Sequence, residues 1–354
     1  MREQVSIFST AKRSALVAMS GGVDSTVAAL LAVRAGLDCA GATIRLHPNV
    51  SGGEEKARDA AERLGIPFFI YDLTEDFTRF VIERFVAAYS GGRTPNPCVD
   101  CNKRIKFGSF LEKALDSGAD RVITGHYARI ERDGSARYLL KKGVDLSKDQ
   151  SYVLYTLSQA QLSSAFFPLG DLTKAQAREL AAGAGFNNAD SRESQDICFV
   201  PHGDYAKFIQ EHTGMQPQKG RFVDTQGNYL GDNDGVLHYT IGQRRGLGLA
   251  MPYPPYVLDI RPEDDTVVIG KNELLYSKTL YIQDINLITC DSLDAAVKAH
   301  VKIRYKHTAQ PAIVRQTDND TLFIEFDEPQ RAITKGQAAV IYNDDVVVGG
   351  GTII

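Results

Sequence analysis

The chain has 354 residues, a formal net charge of −4 and five cysteines. That length exceeds one small core and predicts two or three domains, while an odd cysteine count points away from a disulfide framework and toward a reducing cytoplasm. The charge excludes wholesale coating of nucleic acid but allows a local basic face from 103-KRIK-106, 141-KK-142 and 244-RR-245; no apolar run reaches a membrane span, and MREQVSIFSTAKR lacks a signal-peptide core.

Residues 15–125 alternate in a βα rhythm. The apolar run Ala15–Met19 predicts a strand, 20-SGGVDS-25 a glycine turn, and Thr26–Ala35 a helix. Cys39–Ile44 is the second strand. In 54-EEKARDAAERLG-65, Ala57, Ala60, Ala61 and Leu64 share one helical face and Gly65 stops the helix. Phe68–Tyr71 follows as a strand, Glu75–Tyr89 and Gly108–Gly118 as helices, and Arg121–Thr124 as a strand. Helical patterns at 159–163, 173–185 and 203–213 extend the region. Strands alternating with helices predict a parallel sheet covered on both faces. After about residue 214 the texture changes to short strands and turns, and 221-RFVDTQGNYLG-231 reads as a hairpin turning at Gln226–Asn228. The runs Thr279–Ile282, Ala299–Tyr305, Ala312–Gln316, Thr321–Phe326 and Ala338–Val348 predict a small antiparallel barrel or sandwich.

Chemistry concentrates at two places. At the first βα junction, backbone N–H groups of a glycine turn opening a helix make an anion nest, and Ser20, Ser25 and Thr26 add hydroxyl donors. Asp24 could hold magnesium against phosphate oxygens. Neither GxxxxGK[ST] nor GxGxxG occurs. A bare Gly-Gly turn would merely bend the chain; flanked by Ser and Asp-Ser it reads as a phosphate loop. The second place is 94-TPNPCVDCNKRIKFGSF-110, a Pro/Asn-rich loop carrying Cys98 and Cys101 into a helix. A metal clip, a redox pair and a nucleophile with a neighbour all suit such a pair. Structural zinc would want a fourth ligand, and no CxxC or HxxxH partner appears. Cys39 and Cys290 read as small buried apolar residues. His126 serves equally well as a core histidine or a nucleotide contact.

SGGVDS resembles the PP-loop ATP pyrophosphatases, which cleave ATP between the α- and β-phosphates and adenylate a carbonyl oxygen. With 93-RTPNPCVDCNKRIKFG-108, 124-TGHYAR-129, 148-KDQSYVLY-155, 194-SQDICFV-200 and 239-YTIGQRRGLG-248, the chain resembles the bacterial tRNA-specific 2-thiouridylases. The resemblance runs from Ser20 to Gly248, with 304-RYK-306 beyond it. It implies a PP-loop (adenine nucleotide alpha hydrolase-like) α/β domain at 1–210, a small central tRNA-contacting domain at 211–275 and a C-terminal β-barrel-like domain at 276–354.

The reaction it implies is ATP-dependent 2-thiolation of the wobble uridine in a tRNA anticodon arm. Ala18, Met19, Ser20, Gly21, Gly22, Val23, Asp24 and Ser25, with Ile44 and Gly125, would bind ATP and Mg2+. Asn96, Pro97 and Cys98 would face the target base; Lys148, Asp149, Gln150, Arg304 and Tyr305 would contact tRNA. Cys198 would carry a persulfide received from a sulfur-carrier protein or cysteine-desulfurase relay, and Cys101 would resolve the intermediate, leaving a Cys101–Cys198 disulfide to be reduced. The run Lys103–Arg104–Lys106 and the helix start would favour thiolate at Cys101. One departure matters. The family's usual NPD becomes Asn96–Pro97–Cys98, so Cys98, Cys101 and Cys198 also suit a four-iron iron–sulfur cluster whose open iron binds the sulfide to be transferred. The two sulfur chemistries stay open. A PP-loop amide ligase would need neither paired cysteines nor an RNA-binding extension, and a non-catalytic RNA adaptor would not need SGGVDS.

Overall fold

The computed structural model describes residues 14–47, 53–186, 197–215 and 218–354. The N-terminal stretch MREQVSIFSTAKR and Ser194–Asp196 of the fourth motif lie outside them.

The first region supplies strands β1 (Ser14–Ala18), β2 (Asp38–Arg45), β3 (Phe68–Asp72), β4 (Arg121–Ile123), β5 (Ala128–Arg132), β6 (Tyr138–Lys142) and β7 (Ala165–Phe166). Five of them form one sheet in the order β3-β2-β1-β4-β7, every neighbour parallel. Central β1 is buried on both faces, so it reads as an unbroken apolar run. Ala15 and Val17 pack with α1 (Val23–Arg34) and α2 (Glu54–Leu64), while Leu16 points into a second core on the other face. The phosphate-loop turn therefore sits at the carboxyl edge of the middle strand, where open α/β sheets place their ligands.

Two sequence expectations change here. The cysteines are not in a loop: helix begins at Pro97 (Pro97–Asp100), continues in π form over Cys101–Ser109 and returns to α over Phe110–Asp116. Asn96 caps it, its side chain accepting from Cys98 N at 3.2 Å, and Pro97 takes the first helical position. Asn followed by Pro is a helix start, which the loop reading missed. The hairpin β5–β6 was also unforeseen. It does not join the parallel sheet; it extends the C-terminal sheet through Lys141 against Val346.

The central region has β8 (Gly220–Val223), β9 (Tyr229–Asn233), β10 (Tyr256–Arg261) and β11 (Thr266–Gly270), ordered β10-β11-β8-β9. Asp224 accepts from the backbone N of Gln226 and Asn228, which fixes the expected hairpin turn. The last region, β12 (Tyr276–Leu287), β13 (Val297–Lys302), β14 (Gln310–Asp318), β15 (Thr321–Arg331), β16 (Ala338–Asn343) and β17 (Val346–Ile353), closes through the β12–β17 pairing into a six-stranded barrel. The single run predicted over Ala338–Val348 is two strands, broken at Asp344 with φ 51°.

Barrel and sheet share one core. Ala338, Val340, Tyr342, Val347 and Ile288 lie in the same buried cluster as Leu16, Phe107 and Tyr152. Tyr152 Oη donates to Ala338 O at 2.7 Å, and Asn286 Nδ2 donates to Tyr155 O at 2.7 Å. Gln337 Nε2 donates to Thr94 O at 2.7 Å, and Thr94 N to Lys335 O at 2.8 Å. The barrel thus grips the backbone leading into the cysteine helix.

Candidate active site: the glycine turn and the cysteine helix

Gly21 adopts φ +77°, and a Cβ there would lie 2.4 Å from Gly53 O. Glycine is required both for the turn and for the approach of α2. Ser25 Oγ accepts from Ser20 N at 3.1 Å and donates to Gly22 O at 3.0 Å, tying the turn to the first turn of α1. Met19 O is held by Thr43 Oγ1 at 2.6 Å. Gly125 stands against the same helix end: a Cβ on it would meet Asp24 C at 2.7 Å and Ser25 N at 2.9 Å. Ile44 lies half-buried at the end of β2. The expected nucleotide residues Ala18 to Ser25, Ile44 and Gly125 therefore cluster at one sheet edge.

Asp24 is already engaged. Lys174 Nζ lies 2.8 Å from both its oxygens, and Tyr127 Oη donates to Oδ1 at 2.7 Å. As it stands this carboxylate does not fit the role of a free magnesium ligand. Lys174 follows Thr173, whose capping box with Gln176 sets the helix Lys174–Gly183. Lys174 carried no sequence signal of its own, and Tyr127 was singled out only as part of 124-TGHYAR-129.

On the cysteine helix, Cys101 is buried while Cys98 reaches the surface. Cys198 is exposed beside Phe199, which is 1% exposed and packs edge-on against Phe77 and Phe85 with centroids 5.5 and 5.3 Å away. All five cysteines are free thiols. The three of interest feel one another: Cys98 and Cys198 both add to the upward push on Cys101, whose pKa burial raises to about 12. Crowding by neighbouring chain also raises Cys98 and Cys198. This corrects the expected thiolate at Cys101. Desolvation outweighs the basic run, of which only Lys106 acts on this thiol. Arg104 is exposed, and Asp100 is taken by Arg84 at 3.2 Å. Asn102, buried beside Cys101, gives Nδ2 to Val153 O at 3.1 Å and leaves Oδ1 without a hydrogen-bond partner.

Among the described residues no three His, Cys, Asp or Glu side chains stand at the spacing of a metal site. The donor chemistry of Cys98, Cys101 and Cys198 nonetheless suits three corners of an iron–sulfur cluster better than a closed zinc site, since three thiols with no fourth ligand among the described residues leave one position open.

The expected RNA residues fall on two segments that meet. Tyr152 packs on Tyr305 with centroids 6.0 Å apart, and Lys302 Nζ sits 5.5 Å from both rings. Tyr305 is exposed, and Lys148 and Arg304 are half-buried. Asp149 turns inward, accepting from Gly143 N, Ser151 N and Ser151 Oγ. Gln150 Oε1 accepts from Tyr127 N at 3.0 Å. Both side chains thus carry hydrogen bonds inside the protein, and Gln150 is half-buried.

A parallel sheet with a glycine turn at its switch point, beside a helix carrying exposed and buried thiols, is the arrangement of a PP-loop ATP-using enzyme. The family models described as tRNA methyl transferase HUP domain, tRNA methyl transferase PRC-barrel domain and aminomethyltransferase beta-barrel domain match residues 13–202, 206–271 and 277–353. Similar curated proteins include the tRNA-specific 2-thiouridylase MnmA of Clostridioides difficile, 46% identical over 96% of this chain and 98% of the relative. Those of Carboxydothermus hydrogenoformans (46%; 97% and 98% covered) and Treponema denticola (44%; 96% and 97%) match over a similar span. The chain belongs to the tRNA-specific 2-thiouridylase MnmA family, a family of ATP-using tRNA sulfurtransferases. Among the described residues no helix is long and apolar enough to cross a membrane.

Proposed function

We propose that this chain adenylates O2 of the tRNA wobble uridine with ATP and replaces that oxygen by sulfur at the cysteine helix. The observation that carries the reading is the meeting of the two sites: Gly125 abuts the phosphate turn, and its neighbour His126 lies 3.4 Å from Lys106 of the cysteine helix.

The chemistry follows from the residues. A uracil carbonyl is a poor electrophile, and oxide does not leave. The turn Ala18–Ser25 holds the phosphates of ATP, brought in with magnesium, while Ile44 and Gly125 flank the adenosine. O2 attacks the α-phosphorus, pyrophosphate departs, and the uridine now bears AMP as a leaving group. Asn96, Pro97 and Cys98 face the base, which an anticodon loop presents unstacked. A persulfide sulfur on Cys198 attacks C2; the C2–S bond forms as the C2–O bond breaks and AMP leaves with the electron pair. Cys101 attacks the Cys198 sulfur, its proton passing to the departing 2-thiouridine, and leaves a Cys101–Cys198 disulfide that an external thiol reduces.

A second sulfur chemistry is favoured by the exposed thiol of Cys98 beside the other two. Cys98, Cys101 and Cys198 would hold the cluster, which when bound supplies a sulfide in place of the persulfide.

Lys148, Asp149, Gln150, Arg304 and Tyr305 contact the RNA. The units 211–275 and 276–354 embrace the anticodon arm beside the catalytic unit 1–210, in the cytoplasm, where a carrier protein or desulfurase delivers sulfur. The test is nucleoside analysis of unmodified tRNA incubated with protein, ATP and a sulfur source, beside tRNA-dependent AMP release. Thiouridine with stoichiometric AMP supports the reading; AMP release without thiouridine under every sulfur supply, or ATP turnover indifferent to tRNA, sinks it. Iron and acid-labile sulfide, assayed on protein prepared without oxygen and on Cys98→Ala, separate the two sulfur chemistries.

A further inference from the structure

The cysteine helix has one unusual feature, and it sets the position of one side chain. Over Cys101–Ser109 the backbone is in π form, interrupted by a kink at Gly108 (φ −106°, ψ −108°), and Phe110 N bonds to Ile105 O, five residues back. In an α-helix the fifth residue onward lies about 140° round the axis. In a π turn it comes back over the first. Lys106 is the fifth residue after Cys101, so the π form turns its stem onto the thiol face.

The head of Lys106 is held there. Its Nζ lies 3.4 Å from His126 Nε2, and His126 Nδ1 lies 2.6 Å from Thr124 Oγ1. An ammonium can only donate, so Nε2 is the acceptor; Nδ1 carries the proton and donates to Thr124. Burial keeps the imidazole neutral, holding its pKa well below the usual histidine value. Gly125, between Thr124 and His126, is in turn pressed against Asp24 and Ser25 of the phosphate turn. Lys106 therefore stands between the sulfur site and the nucleotide site. It is also the cation that acts on Cys98, Cys101 and Cys198 alike, whereas Lys103 and Arg104 face Asp100.

We propose that Lys106 is a catalytic residue of the sulfur-transfer step, its ammonium steadying the anionic sulfur as it attacks the adenylated uridine, with His126 as its positioning residue. The inference rests on the thiolation reading above. Lys106 forms no covalent bond. The sulfur's electron pair makes the C2–S bond, the C2–O pair leaves on AMP, and the ammonium keeps its proton throughout. A fixed cation beside the sulfur favours its deprotonated form, the one that acts as nucleophile.

The test separates the two halves of the reaction in the full-length protein. Adenylation is read as the pyrophosphate burst with tRNA and ATP but no sulfur source. Transfer is read as single-turnover thiouridine formation after cysteine desulfurase with cysteine has charged the protein. Lys106→Gln should lose about 100-fold in transfer and far less in the burst, and Lys106→Arg should recover part of the transfer. His126→Phe should lower transfer in the same direction, by about tenfold. If the parent protein makes no thiouridine, the proposed function has failed. If the parent makes it and Lys106→Gln transfers within about threefold of it, only the role of Lys106 is overturned. An equal loss of burst and transfer in the Gln and Arg variants also overturns it and makes Lys106 a structural residue.

Discussion

Lys174 Nζ sits 2.8 Å from each carboxylate oxygen of Asp24, a residue 150 positions earlier in the chain. Lys174 is 7% exposed, and a third of the Asp24 side chain reaches water. The pair pins the first turn of α1, and so the phosphate turn, to the helix Lys174–Gly183.

Lys174→Met should therefore act on both stability and ATP. Leaving one member of a buried pair alone costs about 3–5 kcal/mol, and water at Asp24 reduces that here to about 2 kcal/mol. Calorimetry should show a lowered Tm, and ATP titration a Kd raised about tenfold, which is about 1.4 kcal/mol. Unchanged ATP affinity would show that the turn does not depend on this anchor.

Gly125→Ala places a methyl group 2.7 Å from Asp24 C and 2.9 Å from Ser25 N. Both contacts are backbone, so the helix end must move, at about 1–3 kcal/mol. The expected result is a raised KM for ATP with tRNA affinity little changed. Gly134→Ala, where nothing lies within 4 Å, is the control.

Alkylation should order the thiols. Iodoacetamide attacks thiolate, and in metal-free protein Cys101 is both buried and raised to about 12. Exposed Cys98 and Cys198 should label first near pH 8, with Cys101 protected until far more alkaline conditions. The sign for stability follows. The folded protein keeps this proton where the unfolded thiol, titrating near about 8.5, gives it up. The contribution is complete below that value and is lost as pH climbs toward about 12. Peptide mapping of the labelled cysteines checks the order; prompt labelling of Cys101 at neutral pH would contradict it.

Gln337→Ala removes the donor to Thr94 O at 2.7 Å, just ahead of the Asn96 cap. A hydrogen bond of this kind contributes about 1 kcal/mol, so amides of 96–101 should exchange about fivefold faster. Cys98 should alkylate faster in step. Exchange confined to the barrel turn at 334–337 would mean that the grip does not reach the cysteines.

Much of the fold around the candidate site was legible in the sequence because its signals are local. A strand, glycine turn and helix at 16–26 need only neighbouring residues, as do the face of Ala57, Ala60 and Ala61 and the hairpin turn at Asp224. Motif order singled out Cys98, Cys101 and Cys198, which the fold brings near one another. The tertiary structure decided what distance and burial control. Cys101 sits near a basic run, yet desolvation sets its protonation. Asp149 was expected at the tRNA, yet its side chain satisfies Gly143 and Ser151 inside. Lys174, Tyr127 and Gln337 come from segments far along the chain and act only once the sheet, the Lys174–Gly183 helix and the barrel have packed on one core. Sequence periodicity fixes which face of an element turns inward; it carries no record of which inward group meets which across the fold.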